Sequence, residues 1–212
     1  MIDSVIFDLD GTLWDACRVV AESWDDCLCR RYEGLVRVGE QEVRSIMGMT
    51  ASQIAGFLFS DYGSRAMEVT LGCIEHEISY VKDHPGRLYP GLEEVIKLLS
   101  EKRKLCIVSN CQDGYIQAFL SSTGLAEYFA DFECSGRTGK SKGENIRLVA
   151  RRQGLKSPVY VGDTLMDEEA AAEAAIPFVH AAYGFGRAKA PWAELAELSR
   201  LPQLLERKEE QA

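Results

Sequence analysis

The chain has 212 residues, of which 46% are hydrophobic and 27% are charged, and its formal net charge is −9. This balance is typical of a globular protein with a substantial core. The negative charge argues against nucleic acid as a partner, because binding to a phosphate backbone needs clustered lysine and arginine. No run of 18 apolar residues is present, so a membrane-spanning segment is not expected either.

The seven cysteines have neither a disulfide-like nor a zinc-like spacing. This pattern indicates free thiols in a reducing compartment. The short apolar run near the N-terminus is followed by acidic residues and does not resemble a signal peptide. We therefore expect a cytoplasmic protein.

The N-terminal part of the sequence predicts one strand followed by helices. Residues 4–9 (SVIFDL) form a short apolar run of the kind that makes a buried parallel strand. From about residue 15 the pattern becomes helical, and Val20, Trp24 and Leu28 recur at four-residue steps. Further helices are predicted at residues 41–47, 52–59 and 65–81. We interpret residues 15–84 as a small helical domain.

The rest of the sequence alternates between predicted helices and strands. Strands are predicted at residues 105–109, 132–134, 159–162 and 177–181, and the last of these is expected to end the sheet. Helices are predicted at residues 92–102, 115–122, 144–153, 168–175 and 192–205. Such alternation is the signature of βαβ units and a parallel sheet. We therefore expect an α/β core of residues 1–14 and 85–212, into which residues 15–84 are inserted as a helical cap.

Acidic or small polar residues follow three of the predicted strands. They are Asp8 and Asp10, Ser109 and Asn110, and Asp163 and Thr164. In open parallel sheets, ligands bind in the crevice outside the carboxyl ends of the strands. Three separate segments of the chain are thus expected to meet at one site.

The three aspartates of this set predict a metal ion. Asp8 and Asp10 are two residues apart at a strand end and would point the same way. Together with Asp163 they would place three carboxylates in one spot, which is costly without a cation. Oxygen ligands of this kind suit Mg²⁺, which keeps its remaining positions for water and phosphate.

Neighbouring residues offer groups that bind phosphate. The hydroxyls of Thr12 and Ser109, and the backbone N–H groups of the turn at residues 9–12, can donate to phosphate oxygens. Lys142 or Lys140 could supply the positive charge that neutralises a transferring phosphoryl group. The sequence therefore predicts phosphoryl chemistry on a small anionic substrate.

Four segments, taken in chain order, resemble the motifs of the haloacid-dehalogenase-like hydrolase superfamily. They are residues 8–13 (DLDGTL), 108–110 (VSN), 141–144 (SKGE) and 162–167 (GDTLMD). Residues 88–91 (LYPG) and 183–186 (YGFG) are similar to segments of its phosphoglycolate phosphatase and β-phosphoglucomutase branch. The resemblance covers nearly the whole chain, and it implies a Rossmann-like parallel-sheet core with a small α-helical cap.

The resemblance also implies catalytic roles. Asp8 would attack phosphorus and bind Mg²⁺ through its side chain, and Asp163 would be a second side-chain ligand. Asp10 would bind the metal through its backbone carbonyl and act as general acid and then base. Lys142, favoured over Lys140 by the helix start that follows it, would pair with Asp8 and the phosphate. Asp167 would orient metal-bound water or Lys142.

By the same resemblance, Thr12 and Ser109 would hold phosphate oxygens, with Asn110 close by. The function implied is a Mg²⁺-dependent phosphatase that hydrolyses a small phosphorylated metabolite through an aspartyl-phosphate, similar to phosphoglycolate phosphatase. Substrate specificity is expected to come from the cap around residues 44–52, where no diagnostic motif is present.

Several alternatives stay open at this point. A β-phosphoglucomutase-like phosphomutase, a pyrophosphatase and a nucleotidase use the same four motifs, and a catalytically silent module that binds a phospho-ligand is a further option. Carbon–halogen hydrolysis is not expected, because that branch lacks the second aspartate of the first motif and Asp10 is present. A phosphonoacetaldehyde hydrolase would need a cap lysine, and no lysine precedes Lys82.

Overall fold

The computed structural model describes residues 1–32 and 36–211. Its strands are β1 (Ser4–Phe7), β2 (Trp14–Asp15), β3 (Arg87–Leu88), β4 (Lys104–Ser109), β5 (Phe129–Cys134), β6 (Pro158–Gly162), β7 (Phe178–Ala181) and β8 (Ala193–Leu195). Six of them form a parallel sheet in the order β5-β4-β1-β6-β7-β8. The α/β fold with a parallel sheet is the one that the sequence predicted.

Helices join and cover these strands. They are α1 (Cys17–Arg31), α2 (Glu40–Ile46), α3 (Ala51–Phe57), α4 (Ala66–Asp83), α5 (Leu92–Ser100), α6 (Tyr115–Thr123), α7 (Ser135–Thr138), α8 (Lys142–Gln153), α9 (Leu165–Ala174) and α10 (Leu201–Glu210). Short 3-10 helices occupy Ser60–Arg65, Ala126–Tyr128 and Leu198–Arg200. In residues 1–32 and 36–211, no helix combines the length and the apolarity that crossing a membrane requires.

The central strand β1 is buried at all four positions, because β4 and β6 flank it and helices cover both faces of the sheet. Val5 and Phe7 belong to the larger apolar core, whereas Ile6 points into a smaller one with Ile146 of α8 and Ala171 of α9. A strand buried on both faces gives a continuous apolar run rather than an alternating one. This explains why the short run at residues 4–9 was recognisable in the sequence.

Helices α1 to α4 lie between β2 and β3, which pair antiparallel with Trp14 opposite Leu88. The chain thus leaves and re-enters the region of the sheet along two adjacent paths. α1 packs against α2 and α4, and α3 packs against α4. Trp24 and Phe59 form the aromatic centre of this group, with ring centroids 5.7 Å apart. Helix α4 also packs against α6, which belongs to the predicted core. The division into a core and a cap at residues 15–84 therefore stays a prediction.

The C-terminal prediction was wrong in one respect. Residues 192–205 were expected to be helical and residues 177–181 to be the last strand, but β8 follows and pairs parallel with β7, with Val179 opposite Ala193. Ala193 and Leu195 are buried and Glu194 between them is exposed, a period-two pattern too short to distinguish a strand from a helix in sequence. Helix α10 begins at Leu201, where Pro202 provides the fixed φ that favours a helix start.

Candidate active site

The carboxyl ends of the three central strands meet at one site. Asp8 directly follows β1, Ser109 is the last residue of β4, and Asp163 directly follows β6. Since β1 lies between β4 and β6 in a parallel sheet, these three side chains project from the same edge. The topology therefore brings together segments that are about one hundred and fifty residues apart in sequence.

Three buried carboxylates form the centre of this site. One oxygen from each of Asp8, Asp163 and Asp167 lies within 4.8 Å of the others, and all three residues are buried. Asp163 Oδ2 accepts a hydrogen bond of 2.7 Å from the backbone N–H of Phe185. Asp163 Oδ1 has no hydrogen-bond partner among the described residues, although it is fully buried. An orphaned carboxylate oxygen of this kind is costly unless a further group binds it.

The electrostatics of the cluster fit a bound cation. Burial, followed by the charges of Asp167 and Asp8, raises the pKa of Asp163 to about 8. Burial also raises the pKa of Asp8 to about 6, although Lys142 opposes the shift. A divalent cation ligated by oxygen would satisfy Asp163 Oδ1 and favour the ionised form of both groups. The donor set of this site therefore fits Mg²⁺.

Lys142 is the cation that the protein itself provides. Its Nζ donates to Asp8 Oδ1 at 2.8 Å and to Asp167 Oδ1 at 2.7 Å, and its side chain is buried. Burial by itself would lower the pKa of Lys142, but the two carboxylates raise it above its ordinary value. Lys140, the other candidate, is exposed. The difference arises because Ser141 caps α8, so that Lys142 becomes the first residue of that helix.

Asp167 contacts both the start of α9 and Lys142. Its Oδ2 accepts hydrogen bonds from the backbone N–H and the hydroxyl of Thr164, which caps α9. Its Oδ1 accepts from Lys142 Nζ and, at 3.3 Å, from the hydroxyl of Tyr160. Burial would raise the pKa of Asp167, but Lys142 and Thr164 hold it below its ordinary value. The carboxylate is therefore ionised, and it fixes Lys142 next to Asp8.

The Asp10 side chain does not belong to this cluster, in which Asp167 occupies the place that the sequence predicted for Asp10. Its Oδ1 accepts hydrogen bonds from Trp14 Nε1 at 2.8 Å and from the Tyr115 hydroxyl at 3.0 Å. Burial, together with the charge of Asp8, raises the pKa of Asp10 to about 7. A carboxyl group poised in this range can give and take a proton near neutral pH. Sequence reasoning missed both partners; Trp14 lies four residues from Asp10, whereas nothing in the sequence marks Tyr115.

The three predicted phosphate-binding residues have different surroundings. Thr12 is buried, and its hydroxyl lacks a hydrogen-bond partner in the described part of the chain. Ser109 is buried at the end of β4. Asn110 donates from Nδ2 to the carbonyl of Gly48 at 2.8 Å and accepts from the hydroxyl of Ser135 at 2.9 Å. In this arrangement, Asn110 ties the segment between α2 and α3 to the sheet.

The glycine-rich segment at residues 183–186 encloses the acidic cluster. The Tyr183 hydroxyl donates to the Thr12 carbonyl at 2.8 Å. A Cβ atom on Gly184 would lie 2.3 Å from Asp163 Cβ and 2.4 Å from the carbonyl oxygen of Gly11. Only glycine permits this close approach of two backbones around Asp163.

A pocket of about 70 Å³ opens beside Asp10. The sheet side of the pocket contributes Ser109, Asn110 and Tyr115, and residues 46–49 cover it from the α2–α3 segment. Residues 46–49 fall within the range from which the sequence predicted specificity. Glu77 of α4 also lines the pocket, and sequence reasoning did not single it out, because it lies in an ordinary helical pattern.

Comparison with known proteins identifies a family whose members this chain resembles. Residues 5–181 match the model of a family described as haloacid dehalogenase-like hydrolase. The phosphoglycolate phosphatase of Rhodobacter capsulatus is 28% identical over 97% of this chain and 98% of its own length. The phosphoglycolate phosphatase of Agrobacterium fabrum strain C58 is 26% identical over 85% of this chain and 80% of its own.

Solved structures show the same fold. A predicted phosphatase from Clostridium acetobutylicum superimposes with a TM-score of 0.77 at 21% identity, over 100% of both chains. A variant of CbbY from Rhodobacter sphaeroides, in complex with xylulose-(1,5)bisphosphate, gives a TM-score of 0.79 at 16% identity, over 95% of this chain and 96% of that one. At such identities these structures establish the fold alone.

The chain belongs to the haloacid dehalogenase-like hydrolases. The predictions of this family and of an enzyme are thereby confirmed. The match runs from Val5 in β1 to Ala181 at the end of β7, so it includes every site residue that the sequence predicted, whereas residues 183–186 lie beyond it.

Proposed function

We propose that this protein is a Mg²⁺-dependent phosphatase that hydrolyses a small phosphoric monoester through an aspartyl-phosphate on Asp8. The observation that carries the proposal is the position of Asp8, which accepts a hydrogen bond from Lys142 and lies within 4.8 Å of the carboxylates of Asp163 and Asp167. Family membership and relatives named phosphatases support the same chemistry. Activity like that of phosphoglycolate phosphatase stays a prediction.

The two carboxyl groups of the first motif divide the reaction between them. An Asp8 oxygen forms a bond to phosphorus while the ester P–O bond breaks, and Asp10 gives its proton to the departing alcohol oxygen. Asp10 then takes a proton from water as the water oxygen bonds to phosphorus, and the bond between Asp8 and phosphorus breaks to release phosphate. The pKa of Asp10, raised to about 7 by burial and by Asp8, suits both steps.

The other polar residues hold the phosphoryl group and the metal. Asp8 and Asp163 would bind Mg²⁺ through side-chain oxygens and Asp10 through its backbone carbonyl. The metal supplies positive charge to the phosphate oxygens when it is bound. Lys142 neutralises charge that develops on the transferring group, and Asp167 keeps Lys142 in place.

Three further residues would complete the phosphate site. The unpartnered hydroxyl of Thr12 and the hydroxyl of Ser109 would donate to phosphate oxygens. Asn110 would act indirectly, because its amide is engaged with the Gly48 carbonyl. We propose that residues 15–84 act as a cap, and that the contact between Asn110 and Gly48 holds it over the substrate.

The experiment that tests this function is phosphate release from small phosphate esters, sugar phosphates, pyrophosphate and nucleotides. Each substrate is incubated with Mg²⁺, with EDTA, and with the Asp8→Asn variant. We expect release that needs Mg²⁺ and that falls by about 10⁵-fold or more in the variant, as when a catalytic nucleophile is removed. An exposed aspartate, Asp61, provides the control variant Asp61→Asn.

Two outcomes would contradict the proposal. Turnover that persists in Asp8→Asn, with deamidation excluded by mass spectrometry, would rule out the covalent step. Interconversion of sugar-phosphate isomers without phosphate release would identify a phosphomutase, which uses the same motifs.

A further inference from the structure

Glu77 is a buried acid that the proposed mechanism does not use. It lies on α4, its residue surface is 8% exposed, and it lines the pocket beside Asp10. Trp24 Nε1 donates a hydrogen bond to its Oε2. In the described part of the chain, no positively charged side chain acts on this carboxyl group. Glu77 is therefore held in place by a neutral donor and lacks a counter-charge.

The surroundings of Glu77 disfavour its ionised form. Burial raises its pKa to about 8, with the charge of Asp10 adding to the shift and the bond from Trp24 opposing it. An ionised carboxyl group buried without a cation is costly, and an acid with a strongly shifted pKa in a pocket is typical of a binding or catalytic site. This environment lacks a cation. The surrounding described residues do not supply one, but a bound ligand can.

The rest of the pocket also lacks positive charge. The described residues that line it include no lysine, arginine or histidine, and their charged members are Asp10 and Glu77. Its walls are mainly apolar and include Val20, Ile46 and Ile74. A volume of about 70 Å³ is several times the roughly 10–15 Å³ that one water molecule needs. The pocket thus fits a short chain, and it offers no positively charged group to a second negative charge.

We propose that this pocket binds the alcohol part of the substrate, that this part carries a protonated amine, and that the ammonium group donates to Glu77. The substrate class is then small aminoalkyl phosphates. This inference rests on the proposed function, since it places the alcohol next to Asp10. An alkylammonium is charged at neutral pH, and a hydrogen bond between two charged groups is roughly twice as strong as a neutral one.

The lining of this pocket does not suit phosphoglycolate, the substrate in the names of the relatives. Phosphoglycolate carries a carboxylate in its alcohol part, and in this pocket that carboxylate would face Asp10 and Glu77 without a cation. A carboxylate buried there would lose its hydration without gaining a counter-charge, which disfavours binding. The pocket therefore selects against phosphoglycolate and for an ammonium group of similar size.

The first test compares four substrates of nearly equal size in the presence of Mg²⁺: 2-aminoethyl phosphate, 2-hydroxyethyl phosphate, n-propyl phosphate and phosphoglycolate. We expect kcat/KM for 2-aminoethyl phosphate to exceed that for the two neutral esters by about tenfold or more, as one charge-assisted bond provides. Phosphoglycolate should be the poorest of the four. Equal rates for the amine and the neutral esters, or a preference for phosphoglycolate, would overturn the inference.

The second test assigns the preference to Glu77. The Glu77→Gln variant keeps an acceptor for Trp24 but loses the negative charge, so the ratio of kcat/KM for aminoethyl over propyl phosphate should fall by about tenfold. Glu75→Gln on the same helix is the control, because Glu75 is exposed, and it should leave this ratio unchanged. A preference for the amine that survives in Glu77→Gln would refute the role of Glu77.

A binding measurement separates this inference from the proposed function. If Mg²⁺ supports hydrolysis of no compound in this panel or the wider one, the proposed function fails, and calorimetry with phosphonates still tests the pocket. Tighter binding of 3-aminopropylphosphonate than of butylphosphonate, lost in Glu77→Gln, would support the inference without catalysis. Equal binding of the two would overturn it.

Discussion

Lys142 Nζ lies 2.8 Å from Asp8 Oδ1, and both side chains are buried. The two residues are 134 positions apart and meet because β1 and the start of α8 face the same edge of the sheet. Removing one partner of a buried ion pair leaves an uncompensated charge. Substitution of Lys142 is therefore, after that of Asp8, the most direct test of the proposed active site.

We expect Lys142→Met to reduce kcat by about 10²–10³-fold, a range typical for loss of a group that stabilises transition-state charge. The variant should also lose roughly 3–5 kcal/mol of unfolding free energy, because Asp8 and Asp167 would then be buried together without a cation. Lys140→Met should retain wild-type activity, since Lys140 is exposed. Equal losses in the two variants, with folding checked by circular dichroism, would contradict the assignment.

Tyr115 should position the proton donor. Its hydroxyl donates to Asp10 Oδ1 at 3.0 Å, so Tyr115→Phe would leave Trp14 as the remaining partner of that oxygen. We expect kcat to fall by about tenfold with a smaller change in KM, as for loss of one hydrogen bond to a charged group. The control is Tyr128→Phe, in the 3-10 helix after α6. A loss confined to KM would show that Tyr115 binds substrate instead.

Asp163 should set the metal requirement. Asp163→Asn removes the charge of the carboxylate whose Oδ1 lacks a partner in the described residues, so Mg²⁺ should bind more weakly. We expect the Mg²⁺ concentration for half-maximal activity to rise by at least roughly tenfold. Titration of activity against Mg²⁺ measures this, with Asp61→Asn as the control. An unchanged requirement would remove Asp163 from the ligands.

Gly184 should be intolerant of a side chain. A Cβ at this position would lie 2.3 Å from Asp163 Cβ, so Gly184→Ala should cost about 1–3 kcal/mol of unfolding free energy and weaken Mg²⁺ binding. A Cβ on Gly56 in α3 would meet nothing within 4 Å. Gly56→Ala should therefore stabilise the protein by about 0.5–1 kcal/mol. Denaturant titration measures the unfolding free energy of both variants. Changes of the same sign in the two variants would contradict the steric argument.

Glu77 should make stability depend on pH. Its pKa is about 8 in the folded protein against an ordinary value of 4.5, so between these values the folded state holds a proton that the unfolded chain releases. The unfolding free energy therefore falls as the pH rises through this window. Other titratable groups lie nearby, since Asp10 and Tyr115 face the same pocket and Cys73 lies on the same helix. These three groups are present both in the wild type and in a Glu77→Gln variant, so a comparison of the two proteins isolates the contribution of Glu77.

Glu77→Gln should remove this part of the pH dependence. At pH 8 and without ligand, we expect the variant to be more stable than the wild type by about 1–3 kcal/mol, the cost of an unsatisfied buried group. Near pH 5 the two should be similar, since the wild-type carboxyl is then protonated in the folded state. Denaturant titrations at both values measure this, and parallel pH profiles would contradict it.

The sequence alone was enough to predict the fold and to nominate the aspartates at the strand ends. A continuous apolar run marks a strand buried on both faces, as in β1, and alternation with amphipathic helices marks a parallel sheet. Asp8 and Asp163 were recognisable because each directly follows such a strand, and strand ends converge in this topology. The short strand β8 escaped prediction, because three residues carry too little periodicity.

Only the tertiary structure decided which side chains meet. The helix start favoured Lys142 over Lys140 in the sequence, but the contact of Lys142 with Asp8 and Asp167 is a tertiary one. The bonds from Trp14 and Tyr115 to Asp10 depend on how α6 packs against Trp14. Glu77 looks in sequence like any acid on a helix, and its burial results from the packing of α4 against α1 and α6. Periodicity sets which face of an element is apolar, whereas the partner of a polar atom is set by long-range packing that one sequence does not encode locally.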